Sequence, residues 1–254
     1  MVFSDFDNTM MNYYGDKNVF DNYRISVLKK LQEKGIKFSV VTGRAVSFFF
    51  QFPELLDVID YIVGSNGACI YDVKNKEFIY KDIIDWEVLE GLIDYCIKRN
   101  HSFVLNCVDK RYRFGEWNYV SGDKYVSGNK YDCEQMIVSF SKIYKDEIAN
   151  SIEYFKKIKV NNTTDWGDEY SIDINNIGVS KGNAIVWLCN KLGIDKKNTF
   201  GFGDGANDVS MFDAVDKGIA VGNAKDNVKK MANEVTLSCE EDGLYKYIEN
   251  NILR

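Results

Sequence analysis

Two aspartates spaced i, i+2 close a short apolar run at Val2-Phe3-Ser4 and are followed by Asn8 and Thr9. On an extended backbone such residues point to the same side, so Asp5 and Asp7 would repel each other unless something sits between them. Near the other end of the chain Asp204 and Asp208 follow the run Phe200-Gly201-Phe202-Gly203. Four carboxylates gathered at one sheet edge would be strongly destabilising without compensation, because each poorly solvated charge loses its hydration. Oxygen donors with no histidine or cysteine at hand suit a hard cation, and Mg²⁺ is the first choice. Thr42, in Thr42-Gly43-Arg44, and Lys181, in Ser180-Lys181-Gly182, would add a hydroxyl and a positive charge for a phosphoryl group. Lys181 opens a helix, where backbone N–H groups already favour an anion. A metal, a cation and a placed nucleophile are the recurring parts of phosphoryl transfer.

These residues need elements to carry them. Residues 1–80 alternate between strand and helix patterns: a strand at 1–4, a helix at 21–34 capped by Asp21 and stopped at Gly35, then the β-branched run before Thr42. A strand and hairpin follow through residues 61–80, closed by Val73-Lys74-Asn75. From about residue 82 several short strands gather around only two helices, which reads as an α+β module. After Gly178 the alternation resumes, with a helix at 180–192 feeding the Asp204 loop. The fold class is therefore α/β, a Rossmann-like parallel sheet interrupted by an inserted α+β module. In such a sheet, ligands bind at the carboxyl ends of the strands, where all of the polar motifs fall, Ser65-Asn66-Gly67 included.

Composition narrows the function classes. The apolar share of 45% and charged share of 28% are those of a soluble globular chain. A net charge of −6 with dispersed Lys and Arg argues against nucleic acid. No stretch approaches the roughly 18 apolar residues of a membrane span. Phe48-Phe49-Phe50 with Phe52 reads as a buried helix face. Six scattered cysteines without a C-x-x-C pair suit reduced, buried thiols in a cytoplasm. His101 is the only histidine, which removes multi-histidine metal sites; its own place is expected at the surface, in a helix-to-strand turn. Gly201-x-Gly203-x-x-Ala206 formally fits a dinucleotide fingerprint, but Asp204 and Asp208 would repel a pyrophosphate. Arg111, Arg113, Trp117, Tyr119, Lys124 and Tyr125 form a polar aromatic stretch in the insert that could read a substrate, as could Trp166; the plain alternative is an exposed hairpin.

Taken in order, DFDNT (5–9), VVTGR (40–44), VSKGNA (179–184) and GFGDGANDVSM (201–211) resemble the four motifs of the haloacid dehalogenase-like (HAD) superfamily. With SNGA at 65–68 and the large insert, the sequence is most similar to the Cof-like branch, which carries a type IIB α+β cap. The resemblance implies a HAD core over 1–80 and 180–254 with a cap over 81–179. It implies Asp5 as nucleophile, Asp7 as general acid and base, and Mg²⁺ held by Asp5, Asp204 and the backbone carbonyl of Asp7. Thr42, Gly43, Lys181 and Asn207 would bind the transferring phosphoryl, with Thr9, Arg44, Asn66 and Asp208 in support. Asn8 departs from the family's usual glycine, yet asparagine tolerates positive φ best among the other residues. The implied activity is a cytoplasmic phosphatase of small phosphorylated metabolites, sugar phosphates first and phosphorylated cofactors behind them. A sugar-phosphate phosphotransferase or mutase and a non-catalytic phospho-ligand sensor remain the alternatives.

Overall fold

The computed structural model describes residues 1–12, 20–108, 110–115, 122–154, 157–165 and 167–254. Trp117, Tyr119 and Trp166 lie outside them. The chain divides into two compact units, Met1–Ile79 with Ser180–Arg254, and Tyr80–Val179.

Along the chain, β1 (Val2–Ser4) leads to α1 (Asn22–Glu33) and β2 (Phe38–Val41). The Asp21 carboxylate accepts the Arg24 N–H at 2.9 Å and so starts α1, whose Val27, Leu28 and Leu31 are buried. Gly35, at φ +67°, turns the chain out of it. A 3₁₀ turn at Val46–Gln51 and α2 (Pro53–Leu56) precede β3 (Tyr61–Gly64), β4 (Cys69–Asp72) and β5 (Glu77–Lys81). The phenylalanine run is only partly a buried face: Phe49 and Phe52 enter the core, whereas Phe50 is 51% exposed. In a tight 3₁₀ turn, consecutive side chains point in different directions and cannot all face inward.

The second unit holds α3 (Trp86–Lys98), β6 (Ser102–Cys107), β7 (Arg111–Phe114), β8 (Asp123–Lys124), β9 (Cys133–Ser141), α4 (Lys145–Tyr154), β10 (Ile158–Asp165) and β11 (Glu169–Asn176). Its sheet runs β10-β11-β9-β6-β7-β8. Leu89, Leu92, Ile93 and Cys96 of α3 pack with Phe103, Leu105, Met136, Val138, Ile172 and Ile174. Tyr125 also packs against that core and is half-buried. His101 is buried as well, not exposed, ringed by Tyr95, Phe140 and Tyr144. Aromatic neighbours contributed from separate elements cover an imidazole that its turn position alone would leave in water.

The first unit resumes with α5 (Lys181–Leu192), capped by the Ser180 hydroxyl accepting the Asn183 N–H and ended by left-handed Gly193. Then come β12 (Phe200–Gly203), α6 (Val209–Ala214), β13 (Lys217–Ala220), α7 (Asp226–Lys229), β14 (Glu234–Val235) and α8 (Gly243–Tyr247). The eight-stranded sheet has the order β14-β13-β12-β1-β2-β3-β4-β5, and every pair from β14 to β3 is parallel. Three residues suffice for β1 because it is central, with Val2, Phe3 and Ser4 matched to both β12 and β2. Val2, Val40, Ile62, Phe202 and Ile219 are buried among the helices that cover this sheet. No helix among the described residues is long and apolar enough to cross a membrane.

Candidate active site

Parallel pairing of β1 with β2 and β12 brings their carboxyl ends, and the loops that follow, to one edge. Asp5 leaves β1 with its N–H donated to the Phe202 carbonyl at 2.8 Å, so the first and last acidic motifs are joined through backbone. The turn after Asp7 closes by Asn8 N–H to the Met11 carbonyl at 2.8 Å, with Asn8 at φ 56°. The asparagine thus adopts the left-handed geometry expected of it.

Carboxylate oxygens of Asp5, Asp204 and Asp208 all lie within 4.8 Å of one another. Lys181 Nζ, fully buried, donates to Asp5 Oδ1 and to Asp208 Oδ1, each at 2.6 Å. The second oxygen of Asp208 accepts the N–H groups of Asp204 and Gly205 at 3.0 and 2.8 Å. Asp208 therefore ties the acidic loop to α5 and has little left for a metal. Thr9 donates its hydroxyl to Asp204 Oδ1 at 3.1 Å, joining the first motif to the last.

Glycines allow this closeness. A Cβ on Gly182 would meet the Ser210 carbonyl oxygen at 2.1 Å, and one on Gly67 the Ser180 carbonyl oxygen at 2.3 Å. Both contacts set the start of α5, and hence Lys181, against α6 and the Ser65–Gly67 turn.

Asp7 is placed differently from the other three carboxylates. Arg44 holds it bidentately, Nε to Oδ2 at 2.7 Å and Nη2 to Oδ1 at 2.6 Å. Thr42 is buried beside this pair; its hydroxyl accepts the Arg44 N–H at 3.1 Å and its N–H donates to the Val63 carbonyl. Asn207, expected near the phosphoryl group, donates its amide to Asn66 Oδ1 at 3.1 Å. Asn66 is itself buried, at φ 59°, and its N–H donates to the Thr42 carbonyl.

The electrostatics follow from this crowding. Burial pushes the Asp5 carboxyl well above the usual carboxylate range; Lys181 pulls it back, while Asp208, Asp204 and Asp7 push it further up. Asp204 is pushed up to about 6, by burial first and by the Asp208 charge next. For Lys181 burial works against the charge, but Asp208 and Asp5 outweigh it and raise the ammonium pKa. Four carboxylates thus meet two cationic side chains. With all four ionised, the two negative charges left over would be balanced by one divalent cation, and an all-oxygen donor set suits a hard one.

A second polar group, absent from the motifs, lies within the second unit. Asn106 donates to Gln135 Oε1 at 2.6 Å and accepts from Arg111 Nε at 2.9 Å. Asn175 donates to the Glu134 carbonyl and accepts from Asn161. Period-two alternation with Leu105, Met136, Tyr112 and Ile174 sets these side chains on the sheet face opposite that unit's apolar core. The signal was available in the strands themselves, as polar residues at alternate positions of otherwise apolar runs.

Against known proteins, a family profile described as haloacid dehalogenase-like hydrolase matches residues 2–248. A 5-amino-6-(5-phospho-D-ribitylamino)uracil phosphatase of Bacillus subtilis is 24% identical over 253 residues, spanning 100% of this chain and 96% of its own. A phosphoglycolate phosphatase of Methanobrevibacter smithii is 26% identical over 249 residues, with 94% and 96% covered. Among solved structures, a HAD subclass IIB sugar phosphatase superposes with a TM-score of 0.81 at 23% identity, covering 100% of this chain and 99% of its own. A HAD-superfamily phosphatase of Bacteroides thetaiotaomicron does so with a TM-score of 0.81 at 21% identity, with 100% and 95% covered.

Proposed function

The chain belongs to the haloacid dehalogenase-like hydrolases and is a phosphatase acting on phosphorylated substrates, and we propose that it hydrolyses small phosphorylated metabolites in a Mg²⁺-dependent reaction through an aspartyl-phosphate. The observation that carries this reading is the convergence of Asp5, Asp204 and Asp208 around one buried lysine.

In the proposed mechanism an Asp5 carboxylate oxygen attacks phosphorus as the bond to the leaving oxygen breaks, and Asp7 gives that oxygen a proton. Asp7, now a carboxylate, takes a proton from water as the water oxygen attacks the aspartyl-phosphate; phosphate leaves and Asp5 is restored. Thr42, Gly43, Lys181 and Asn207 bind the transferring group. Lys181 carries charge that is already placed and desolvated, so it needs no reorganisation as charge shifts onto the phosphoryl oxygens. Asp5, Asp204 and the carbonyl of Asp7 would hold Mg²⁺, which when bound neutralises the acidic cluster and polarises a phosphoryl oxygen. Thr9 and Asp208 keep Asp204 and the lysine in position.

We assign substrate choice to residues 81–179, read as a cap. Half-buried Arg111, backed by the buried amides of Asn106, Gln135 and Asn175, supports a ligand rich in hydroxyl, carbonyl or imide groups, which single-point ion pairing would not recognise. Sugar phosphates fit this chemistry, as do phosphorylated sugar alcohols bearing a heterocycle, and the phosphatases named above act on both kinds of compound. Six buried free thiols support a cytoplasmic setting.

A panel of phosphorylated metabolites assayed with Mg²⁺, without it and with EDTA tests the reading. Metal-dependent phosphate release is expected for sugar-type substrates. Release in [¹⁸O]water should place the label in phosphate; quantitative transfer to an added sugar would instead favour a phosphotransferase.

A further inference from the structure

Arg44 is fixed at each point along its length. Its carbonyl accepts the Ser65 N–H at 2.9 Å and its N–H donates to Thr42. Its guanidinium carbon lies 4.1 Å from the centroid of the Phe48 ring and 5.8 Å from that of Phe6. Those rings meet each other edge to face at 5.7 Å, and Phe6 meets Phe49 in the same way at 4.9 Å. A planar cation stacked on a packed aromatic group keeps its fork in one plane, and Arg44 aims that fork at both oxygens of Asp7.

The consequence concerns where Asp7 points. Asp7 is two residues from Asp5, and the positive charge of a metal in the acidic cluster would draw a loose carboxylate inward. A bidentate partner on the other side opposes that pull. We infer that Arg44 is a positioning residue that acts through Asp7: it holds the carboxyl group outside the acidic cluster, and when Asp7 carries its proton one oxygen stays on the guanidinium while the other faces the leaving group. Phe48 serves as the platform that keeps the fork aligned. This inference rests on the reading of Asp7 as the proton-transfer group.

The leaving group provides the test. Departure of 4-nitrophenolate needs no proton, whereas departure of an alkoxide does, so loss of a positioned acid harms alkyl phosphates selectively. kcat/KM is the proper readout, since it includes the first phosphoryl transfer and excludes hydrolysis of the intermediate. Arg44→Ala is expected to lower kcat/KM for a sugar phosphate at least about tenfold more than for 4-nitrophenyl phosphate, within the range of general acid catalysis. Asp7→Asn should show the same selectivity more strongly, and Arg44→Lys should recover part of it.

In the Asp7→Asn background, Arg44→Ala should change kcat/KM by less than about twofold, because the two residues act as one unit. Equal losses on both substrates, or additive losses in the double variant, would overturn the positioning role. Should Asp7→Asn itself show no selectivity, the proton-transfer reading falls and this inference with it. Phe48→Leu keeps the charge but removes the platform, and should show the same selectivity in smaller measure. If Arg44→Ala does not fold, an unselective loss in Phe48→Leu and in Arg44→Lys overturns the inference equally well.

Discussion

Lys181 and Asp208 form a buried ion pair at 2.6 Å in which neither side chain has more than 1% exposure. Asp208 is held from behind by two backbone N–H groups, and Lys181 reaches onward to Asp5. The lysine is therefore aimed by a carboxylate that is itself fixed, and its stability and its chemistry depend on the same contacts.

Removing the ammonium should harm both. Lys181→Ala leaves Asp5 and Asp208 buried without their cation, and a broken buried pair costs about 3–5 kcal/mol. Turnover should fall by about two orders of magnitude or more, as when one preorganised charge partner is lost. Urea unfolding and steady-state rates measure the two effects; a loss of less than about tenfold in rate would remove Lys181 from the phosphoryl site.

Asp5→Asn separates function from stability. Asp5 is buried, and its charge is disfavoured by burial and by three neighbouring carboxylates. Turnover should vanish, since an amide is no nucleophile, while the metal-free protein melts at the same or a higher temperature. Wild-type activity in this variant would end the nucleophile assignment.

Metal binding should compete with protons. The Asp204 carboxyl titrates at about 6 in the folded protein and at 3.8 in an ordinary setting. The protonated group's contribution to stability is thus full below 3.8 and is lost as pH rises through about 6. Mg²⁺ needs the carboxylate, so its affinity should be full above that range and weaken as pH falls through it. Calorimetric titration at pH 5 and at pH 7.5 is expected to show at least about tenfold weaker binding at the lower value. Equal affinities would exclude Asp204 as a ligand. Saturating Mg²⁺ should also raise the melting temperature at the higher pH, because a ligand bound only by the folded state stabilises it.

Gly182→Ala tests the seat of α5. The new methyl would press on the Ser210 carbonyl oxygen, a backbone atom that cannot swing aside. Overpacking of this kind costs about 1–3 kcal/mol. The first turn of α5 should shift and carry Lys181 with it, lowering kcat about tenfold or more, as small displacements at reacting groups do. Gly193→Ala meets nothing within 4 Å but sits at φ +68° at the other end of the helix. It should cost stability by a similar amount and leave kcat near that of the parent.

Much of the site was legible because its motifs sit where strands end. Asp5 and Asp7 follow one short apolar strand, and Asp204 and Asp208 follow another; parallel pairing then brings them together. Other features could not be read so. His101 looked exposed from its turn, yet rings contributed by Tyr95, Phe140 and Tyr144 cover it. That the Asn207 amide meets Asn66, a residue 141 positions away, was not legible from either motif. Phe50 belongs to an apolar run and still faces solvent, because a 3₁₀ turn rotates it out.

The order and chemical types of the residues determined by themselves that acidic groups, a lysine and a threonine would share one sheet edge. Strand periodicity and the parallel arrangement leave little other choice. Which acid pairs with which base was decided only by the tertiary structure. Asp208 rather than Asp7 lies with Lys181, and Arg44 rather than the lysine takes Asp7, because side-chain direction depends on how loops from separate strands approach. A motif specifies the residues within a loop, whereas hydrogen-bond partners in three dimensions depend on the distance and angle between loops, which no single motif encodes.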